Sequence, residues 1–250
     1  MNDATAAQDM PRRAMVLAAG RGERLRPLTD RLPKPLVEIR GKTMLDRALD
    51  RLAAAGITDA VVNLHHLGDQ IEAHLAVRTR PNITLSREPE LLDTGGGVCA
   101  ALQWLGEAAF FVLNGDVVWL EGIDPALNRL ARAWDEATMD ALLLLHPAVS
   151  AYGYEGSGDF LMAPDGRLRR RRERVVAPFV FAGLQMLHPR LFASAPDGAF
   201  SLNRLYDLAE EQERLWGLRH DGEWFHIGTV DALRGAEDAL HYMSTGAVQR

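Results

Sequence analysis

The segment Leu17-Ala18-Ala19-Gly20-Arg21-Gly22-Glu23-Arg24-Leu25-Arg26-Pro27-Leu28-Thr29 places two glycines and three arginines directly after a short apolar run. Glycine lets backbone N–H groups approach an anion closely, and guanidinium groups add fixed positive charge in a fork that matches phosphate. A triphosphate suits such a loop, although a plain turn with solvated arginines uses the same residues. Gly20-x-Gly22 also begins a dinucleotide fingerprint, but Leu25 stands where its third glycine belongs, which argues against an oxidoreductase. Lys34, in Leu32-Pro33-Lys34-Pro35-Leu36, sits between prolines that favour an extended, stiff backbone. From that support it either reaches phosphates from a fixed direction or is an exposed loop lysine. Asp116 ends Asn114-Gly115-Asp116, behind the apolar run Phe110 to Leu113. A carboxylate at a strand end can hold Mg²⁺, which takes one or two carboxylates plus phosphates and water. Asn-Gly is equally a common turn dipeptide.

Asp93-Thr94-Gly95-Gly96-Gly97 precedes a helical pattern. Serial glycines permit close approach to a base or ribose, and a helix start offers free N–H donors; a flexible loop is the plainer reading. Asn63 and Glu90 are weaker candidates nearby. His65 and His66 are read as strand-end packing, because adjacent residues on a strand point apart. Cys99, in Val98-Cys99-Ala100-Ala101-Leu102, reads as a small buried residue. Arg167 to Arg174 holds six arginines in eight positions after Pro164-Asp165-Gly166. A solvated hairpin turn accounts for it; a sharper reading has Arg174 reaching an acidic sugar.

The elements that must position these residues alternate in type. Strands are expected at Ala14 to Ala19, Ile57 to Leu64, Ile83 to Ser86, Phe110 to Leu113 and Ala141 to Leu145. Helices are expected at Thr43 to Ala55, with Thr43 and Asp46 at cap spacing, at Leu67 to Ala76, at Val98 to Leu105 continuing from the glycines, and at Asp124 to Trp134. This alternation predicts an α/β fold with a mainly parallel sheet covered by helices. Such sheets bind ligands at the carboxyl ends of their strands, where the loops at Gly20, Asn63, Leu92 and Asp116 would converge. Beyond Ser150 shorter strands at Gly158 to Met162 and Phe179 to Met186 form a small accessory sheet region, followed by helices at Leu202 to Arg214 and Val230 to Met243. A disordered tail over 1–12, one domain over 13–243 and a C-terminal tail over 244–250 complete the expected organisation.

The 250 residues are 47% hydrophobic and 25% charged, with a net charge of -6. An acidic chain whose arginine run lacks interleaved aromatics argues against nucleic-acid binding. A single cysteine, no run of signal-peptide length and no apolar stretch of membrane-spanning length predict a soluble cytoplasmic protein without membrane association. A monomer or small homo-oligomer is expected.

The loop from Leu17 to Thr29, with Leu32-Pro33-Lys34-Pro35-Leu36 after it, resembles the signature of sugar-1-phosphate nucleotidyltransferases. The resemblance extends through Val61-Val62-Asn63-Leu64-His65-His66, Leu92-Asp93-Thr94-Gly95-Gly96-Gly97, Asn114-Gly115-Asp116, Gly158-Asp159-Phe160, Phe181-Ala182-Gly183 and Trp224-Phe225-His226-Ile227-Gly228-Thr229. It implies a Rossmann-like three-layer sandwich with a mainly parallel mixed sheet, of the nucleotidyltransferase or GT-A-like kind. The implied reaction joins a nucleoside triphosphate to a sugar 1-phosphate and releases pyrophosphate. The compact length and the Thr-Gly-Gly-Gly and Gly-Asp-Phe elements are most similar to members using UTP and N-acetylmuramate 1-phosphate in peptidoglycan recycling. Related members use mannose or glucose 1-phosphate with GTP, UTP or dTTP, and a non-catalytic nucleotide-binding regulator would keep the same fold.

By this resemblance Arg24, Lys34 and Asp116 are catalytic. Leu17, Ala19, Gly20, Arg21, Gly22, Glu23, Asn63, Glu90, Thr94, Gly95, Gly96 and Asn114 bind the nucleotide, and Gly158, Asp159, Phe181, Ala182, Gly183 and Arg174 face the sugar. Asp116 binds Mg²⁺. His226 departs from the pattern, since an aspartate usually stands there. Imidazole suits softer ions such as Mn²⁺ or Co²⁺ better than Mg²⁺, so His226 is a metal ligand, a phosphate contact or a structural histidine.

Overall fold

Alternating side-chain directions along the apolar runs decide the layering. The computed structural model describes residues 10–246. In chain order the elements are β1 (Arg13–Leu17), β2 (Glu38–Ile39), β3 (Lys42–Thr43), α1 (Met44–Ala54), β4 (Asp59–Leu64), α2 (Gly68–Leu75), β5 (Asn82–Arg87), α3 (Asp93–Leu105), β6 (Phe110–Asn114) and β7 (Val118–Trp119). They continue with α4 (Ala126–Ala133), β8 (Ala141–Pro147), β9 (Phe160–Met162), β10 (Leu168–Arg170), β11 (Phe179–Leu187), α5 (Asn203–Glu211), β12 (Leu215–Arg219), β13 (Trp224–Phe225) and α6 (Val230–Gly246). Ala14, Val16, Phe111 and Leu113 enter one core, under α1, α2 and α4. Met15, Phe110 and Val112 enter the other, under α3 and α5. Burial on both faces explains why these strands read as unbroken apolar runs.

The main sheet runs β10-β9-β11-β6-β1-β4-β5, with β8 on β11 and β12 on β8. β5, β4, β1 and β6 are mutually parallel, so their carboxyl ends face one side of the molecule. β11 runs antiparallel to β6 and β8. The accessory sheet region expected beyond residue 150 is continuous with this sheet, because β9, β10 and β11 extend it directly. β12 and the short pairs β2–β3 and β7–β13 were absent from the sequence reading; two-residue strands have no period to detect. The helix expected to reach Arg214 ends at Glu211, while the last helix passes Met243 to Gly246. Of the expected N-terminal tail, residues 1–9 lie outside the described residues, whereas Met10 packs on the core. Residues 247–250 of the expected C-terminal tail also lie outside them.

α1 starts as its cap spacing predicts: Thr43 Oγ1 accepts from the Asp46 N–H at 3.0 Å and donates to Asp46 Oδ2 at 2.8 Å. α3 differs from expectation. Gly95, Gly96 and Gly97 lie within its first turns and are buried, rather than forming a loop before it. The Gly95 and Gly96 N–H groups donate to the Phe200 carbonyl at 2.8 and 3.1 Å. A Cβ on Gly95 would overlap the Phe200 ring, and one on Gly97 would sit 2.9 Å from Asn63 Nδ2 and Glu88 Oε1. The glycines therefore serve close packing of a helix against the 198–200 segment, and their donors are consumed by protein.

His146 and His220 are buried beside each other, their ring centroids 5.9 Å apart, each with an unbonded Nδ1. Burial depresses both pKa values below the ordinary 6.5. The unfolded chain therefore binds more protons than the folded one once pH falls below that value, and stability rises with pH through this window. Melting temperature is expected to fall between about pH 7 and about pH 5, less so in the H146Q/H220Q double variant; identical slopes would dissociate the effect from this pair. Gly95→Ala is expected to cost about 1–3 kcal/mol through overpacking against Phe200, measured by urea denaturation. A stabilised variant would contradict the close seat of Phe200.

Candidate active site

The carboxyl ends of the parallel strands open onto a cleft of about 640 Å³. Two backbone groups at the end of β1 tie its rim together. The Ala18 N–H donates to Asn63 Oδ1 at 2.7 Å, and the Leu17 carbonyl accepts from the Gly115 N–H at 2.8 Å. The loops after β1, β4 and β6 thus hang from one point. Gly115 must be glycine, since a Cβ would lie 2.8 Å from the Leu17 carbonyl oxygen.

Beyond Ala18 the chain folds into three 3₁₀ turns, Glu23–Leu25, Leu28–Asp30 and Lys34–Leu36. Gly22 adopts φ +62°, and a Cβ there would meet Thr29 at 2.9 Å and the Lys34 Cβ at 3.0 Å. Its left-handed conformation and bare surface let Lys34 pack against the loop. Thr29 Oγ1 donates to the Gly22 carbonyl at 2.8 Å, and His66 Nε2 lies 2.9 Å from the Thr29 carbonyl. With these bonds made, the N–H groups of Ala19, Gly20, Arg21 and Gly22 find no protein acceptor among the described residues. Four such donors bordering a cleft form an anion-binding surface.

Lys34 does not sit in the extended backbone expected from its prolines. Pro33 is extended, but Lys34 itself opens the 3₁₀ turn Lys34–Leu36. Its ammonium donates to Asp116 Oδ2 at 2.6 Å, joining two loops 82 residues apart in sequence. Arg24 lines the same cleft, as do Leu17, Ala19, Gly20, Arg21, Gly22, Glu23, Asn63, Thr94, Asn114 and Gly228.

Several of the expected nucleotide-binding residues do not line this cleft. Gly95 and Gly96 are absent from the cleft lining for the packing reason given above. Glu90 is exposed and also outside it. The acid that matters there is Glu88, which the sequence reading missed. It is 6% exposed, accepts from Asn63 Nδ2 at 2.7 Å and from the Leu92 N–H at 2.9 Å, and so fixes the Asn63 amide that holds Ala18. A polar residue directly after the β5 pattern was its only signal. Asn63 accordingly both lines the cleft and braces its frame. His65 and His66 make the packing bonds expected of them, to the Glu88 and Thr29 carbonyls.

The expected sugar-facing residues divide. Ala182 is buried, and its carbonyl accepts from the Trp224 indole at 3.0 Å. Gly183, at φ +77°, packs on Asn114 and Val117 where β11 shifts register between Phe181 and Gln185. Gly158 is buried, donating to the Tyr154 hydroxyl at 3.0 Å. These three shape the wall from behind. Asp159 and Phe181 instead line a second cavity of about 240 Å³ with Phe160, Arg170, Arg171, Asn203 and Tyr206. Arg174 lies exposed on the following loop, outside both cavities. Of the arginine run, Arg167 pairs with Asp165 and Glu213, and Arg170 with Asp207.

His226 lies beside the cleft: a Cβ on Gly228 would meet both His226 Nε2, at 2.6 Å, and Arg24 Nη1, at 3.5 Å. Burial, then the charges of Arg24 and Lys34, lower its pKa from 6.5, while Asp116 and Asp159 oppose the shift. Burial and the two cations thus favour the uncharged imidazole, whose lone pair can accept a bond. Among the described residues no three acidic, histidine or cysteine side chains converge on one point. Asp116, with one oxygen held by Lys34, lines the cleft together with the carboxylates of Glu23 and Asp93, and His226 borders it. A carboxylate here suits a divalent ion whose shell phosphates and water complete.

The family model for nucleotidyl transferases matches residues 13–165. The chain is 41% identical to N-acetylmuramate alpha-1-phosphate uridylyltransferase of Caulobacter vibrioides, over 92% of this chain and 97% of that one. It is 34% identical to the protein of the same name from Neisseria meningitidis, over 90% and 96%. Mannose-1-phosphate guanylyltransferase catalytic subunit beta of Danio rerio is 28% identical over 86% of this chain, which spans 61% of that longer protein. In fold the chain is similar to UDP-glucose pyrophosphorylase complexed with UDP-glucose, with a TM-score of 0.75 at 16% identity, over 92% and 98% of the two chains. A cleft at the parallel strand ends, bordered by free amides and crossed by a lysine–aspartate pair, accompanies these likenesses, and the chain belongs to the nucleotidyl transferase family.

Proposed function

We propose that residues 13–243 form one catalytic unit that transfers the uridylyl group of UTP to N-acetylmuramate 1-phosphate, releasing pyrophosphate. The observation that carries this reading is the cleft itself, where unbonded amides of Ala19 to Gly22, Arg24, Lys34 and Asp116 share one ligand-sized space. The identity and near-complete mutual coverage with the two uridylyltransferases supports the choice of base and sugar. In this role the protein would act in the cytoplasm, in peptidoglycan recycling. No helix among the described residues is long and apolar enough to cross a membrane.

A phosphate oxygen of the sugar 1-phosphate attacks the α-phosphorus of the nucleotide, a new P–O bond forms, and the bond to the β,γ-diphosphate breaks as pyrophosphate leaves. The attacking group is already an anion, so no general base is needed. The obstacle is bringing two anions together in line, and alignment and charge neutralisation lower the barrier. The loop amides hold the triphosphate. Arg24 steadies charge on the departing oxygens, and Lys34 stands between the two phosphate groups. Asp116, with His226, would hold a divalent cation, Mg²⁺ by the carboxylate and Mn²⁺ or Co²⁺ by the imidazole. When bound, the cation supplies charge neutralisation at the phosphates.

Mixing four nucleoside triphosphates with several sugar 1-phosphates and measuring pyrophosphate tests the reading. The UTP and N-acetylmuramate 1-phosphate pair is expected to dominate. Preference for mannose 1-phosphate with GTP, or no turnover with any pair, would replace it. Asp116→Ala is expected to abolish pyrophosphate release, and Lys34→Ala to lower kcat by about 10²–10³; wild-type kinetics would remove either role. His226→Asp is expected to raise activity with Mg²⁺ relative to activity with Mn²⁺ or Co²⁺. An unchanged preference would take His226 out of the metal shell.

A further inference from the structure

The second cavity has a composition that the reaction chemistry leaves unused. Its lining includes the rings of Phe160, Phe181 and Tyr206, the only charged groups being Asp159, Arg170 and Arg171, with the Asn203 amide beside them. Phe160 and Phe181 both lie edge-on to Tyr206, with centroids 6.3 and 6.5 Å away. The Tyr206 hydroxyl donates to Gln185 Oε1 at 2.5 Å, which fixes the ring. Three rings thus meet three charged groups and an amide in one small pocket, a lining that suits a ligand carrying both a charge and an apolar group.

Its charges are unevenly matched. Arg170 is satisfied: its Nη1 pairs with Asp207 at 2.5 Å and reaches the Asn203 carbonyl at 3.2 Å, while its N–H donates to Glu210 at 2.8 Å. Arg171 is different. Its Nε donates to the Gly158 carbonyl at 2.8 Å and its Nη1 leans on the Val175 and Arg172 carbonyls at 3.3 and 3.5 Å. Three neutral carbonyls thus fix the guanidinium, and it forms no ion pair among the described residues. Asp159, the other charge, gives one oxygen to the Phe181 N–H at 2.9 Å and does not pair with Arg171. A held guanidinium without a counter-ion, facing a cavity, is arranged to receive an anion from outside. The free oxygen of Asp159 suits a hydroxyl donor.

The cavity also belongs to the neighbourhood of the main cleft. Thr94 of the cleft accepts from the Leu202 N–H at 3.0 Å, one residue before Asn203. A sugar with its phosphate in the cleft therefore has this cavity beside it. N-acetylmuramate differs from its parent amino sugar by one lactyl ether, which carries a carboxylate and a methyl group. That is the pairing this cavity offers, a guanidinium for the carboxylate and aromatic rings for the methyl.

We infer that Arg171 is the specificity-determining residue that binds the lactyl carboxylate of the sugar 1-phosphate, with Asn203 beside it, in the cavity based on Tyr206. This rests on the substrate reading above, and it replaces the expectation that Arg174 does so. The test compares two substrates with UTP: N-acetylmuramate 1-phosphate and N-acetylglucosamine 1-phosphate, which lacks the ether. Arg171→Ala is expected to raise KM for the first by roughly 10- to 100-fold, the range for losing a hydrogen bond to a charged group. The kcat should change little and the slower reaction with the second substrate should be unaffected. Arg171→Lys, which keeps charge without the fork, should recover part of the loss.

Because Arg171 also holds a loop, two measurements avoid altering it. Asn203→Asp should reproduce the selective loss by repulsion. The wild-type enzyme should lose a similar factor on the lactyl amide of the substrate. Equal losses on both sugars, or full activity on the amide, would overturn the assignment while leaving the substrate reading intact. Wild-type failure on N-acetylmuramate 1-phosphate with turnover of another sugar phosphate would end the substrate reading itself, and this inference with it.

Discussion

The site depends on how the central strand ends. β1 lies between β4 and β6, and its last ladder groups are spent on its neighbours' loops. The Leu17 carbonyl binds Gly115, and the Ala18 amide binds Asn63. The Asn63 amide is in turn held by buried Glu88. A buried carboxylate is tolerated only when its lone pairs are filled, and here Asn63 and the Leu92 amide fill them. These bonds set the spacing of three loops before any ligand arrives. The chain then leaves the sheet, and the next four residues, whose N–H groups find no acceptor among the described residues, line the cleft.

Charge is arranged on this frame. Arg24 and Lys34 come from one loop and Asp116 from another, so the cationic and anionic parts of the cleft meet only because β1 and β6 are adjacent. The Lys34–Asp116 pair is partly exposed, and exposed pairs add little to stability. Its value is positional: it fixes an ammonium and a carboxylate side by side in the cleft. His226 joins the same field through β13, and the nearby cations help keep it neutral.

The far wall is built by the irregularity in β11. The register shift after Phe181 turns the Ala182 carbonyl to Trp224 and presses Gly183 onto Asn114. A strand that pairs with β9, β8 and β6 along its length cannot stay flat, and bulges increase the local twist. Pairing of β11 with β9, and of β9 with β10, sets Asp159 and the basic strand β10 beside Phe181, whose N–H donates to Asp159. The second cavity exists because an antiparallel extension of the sheet folds beside a parallel half.

Local chemistry was legible without coordinates. The glycine–arginine loop, Lys34, Asp116, the Thr43 cap and the apolar strands could be read because each depends on neighbours in sequence: a turn needs its glycine, a cap its hydroxyl, a doubly covered strand its continuous apolar run. Tertiary contacts decided what those signals lacked. Three serial glycines looked the same whether they made room for a base or for Phe200, and only the partner's position told them apart. Glu90 and Glu88 are chemically alike, yet one faces water and the other is buried against Asn63. Arg171 and Arg174 lie in one basic run, but strand pairing turns the first into a cavity and leaves the second in solvent. A residue's type limits the bonds it can form; the long-range sheet contacts decided which bonds were within reach.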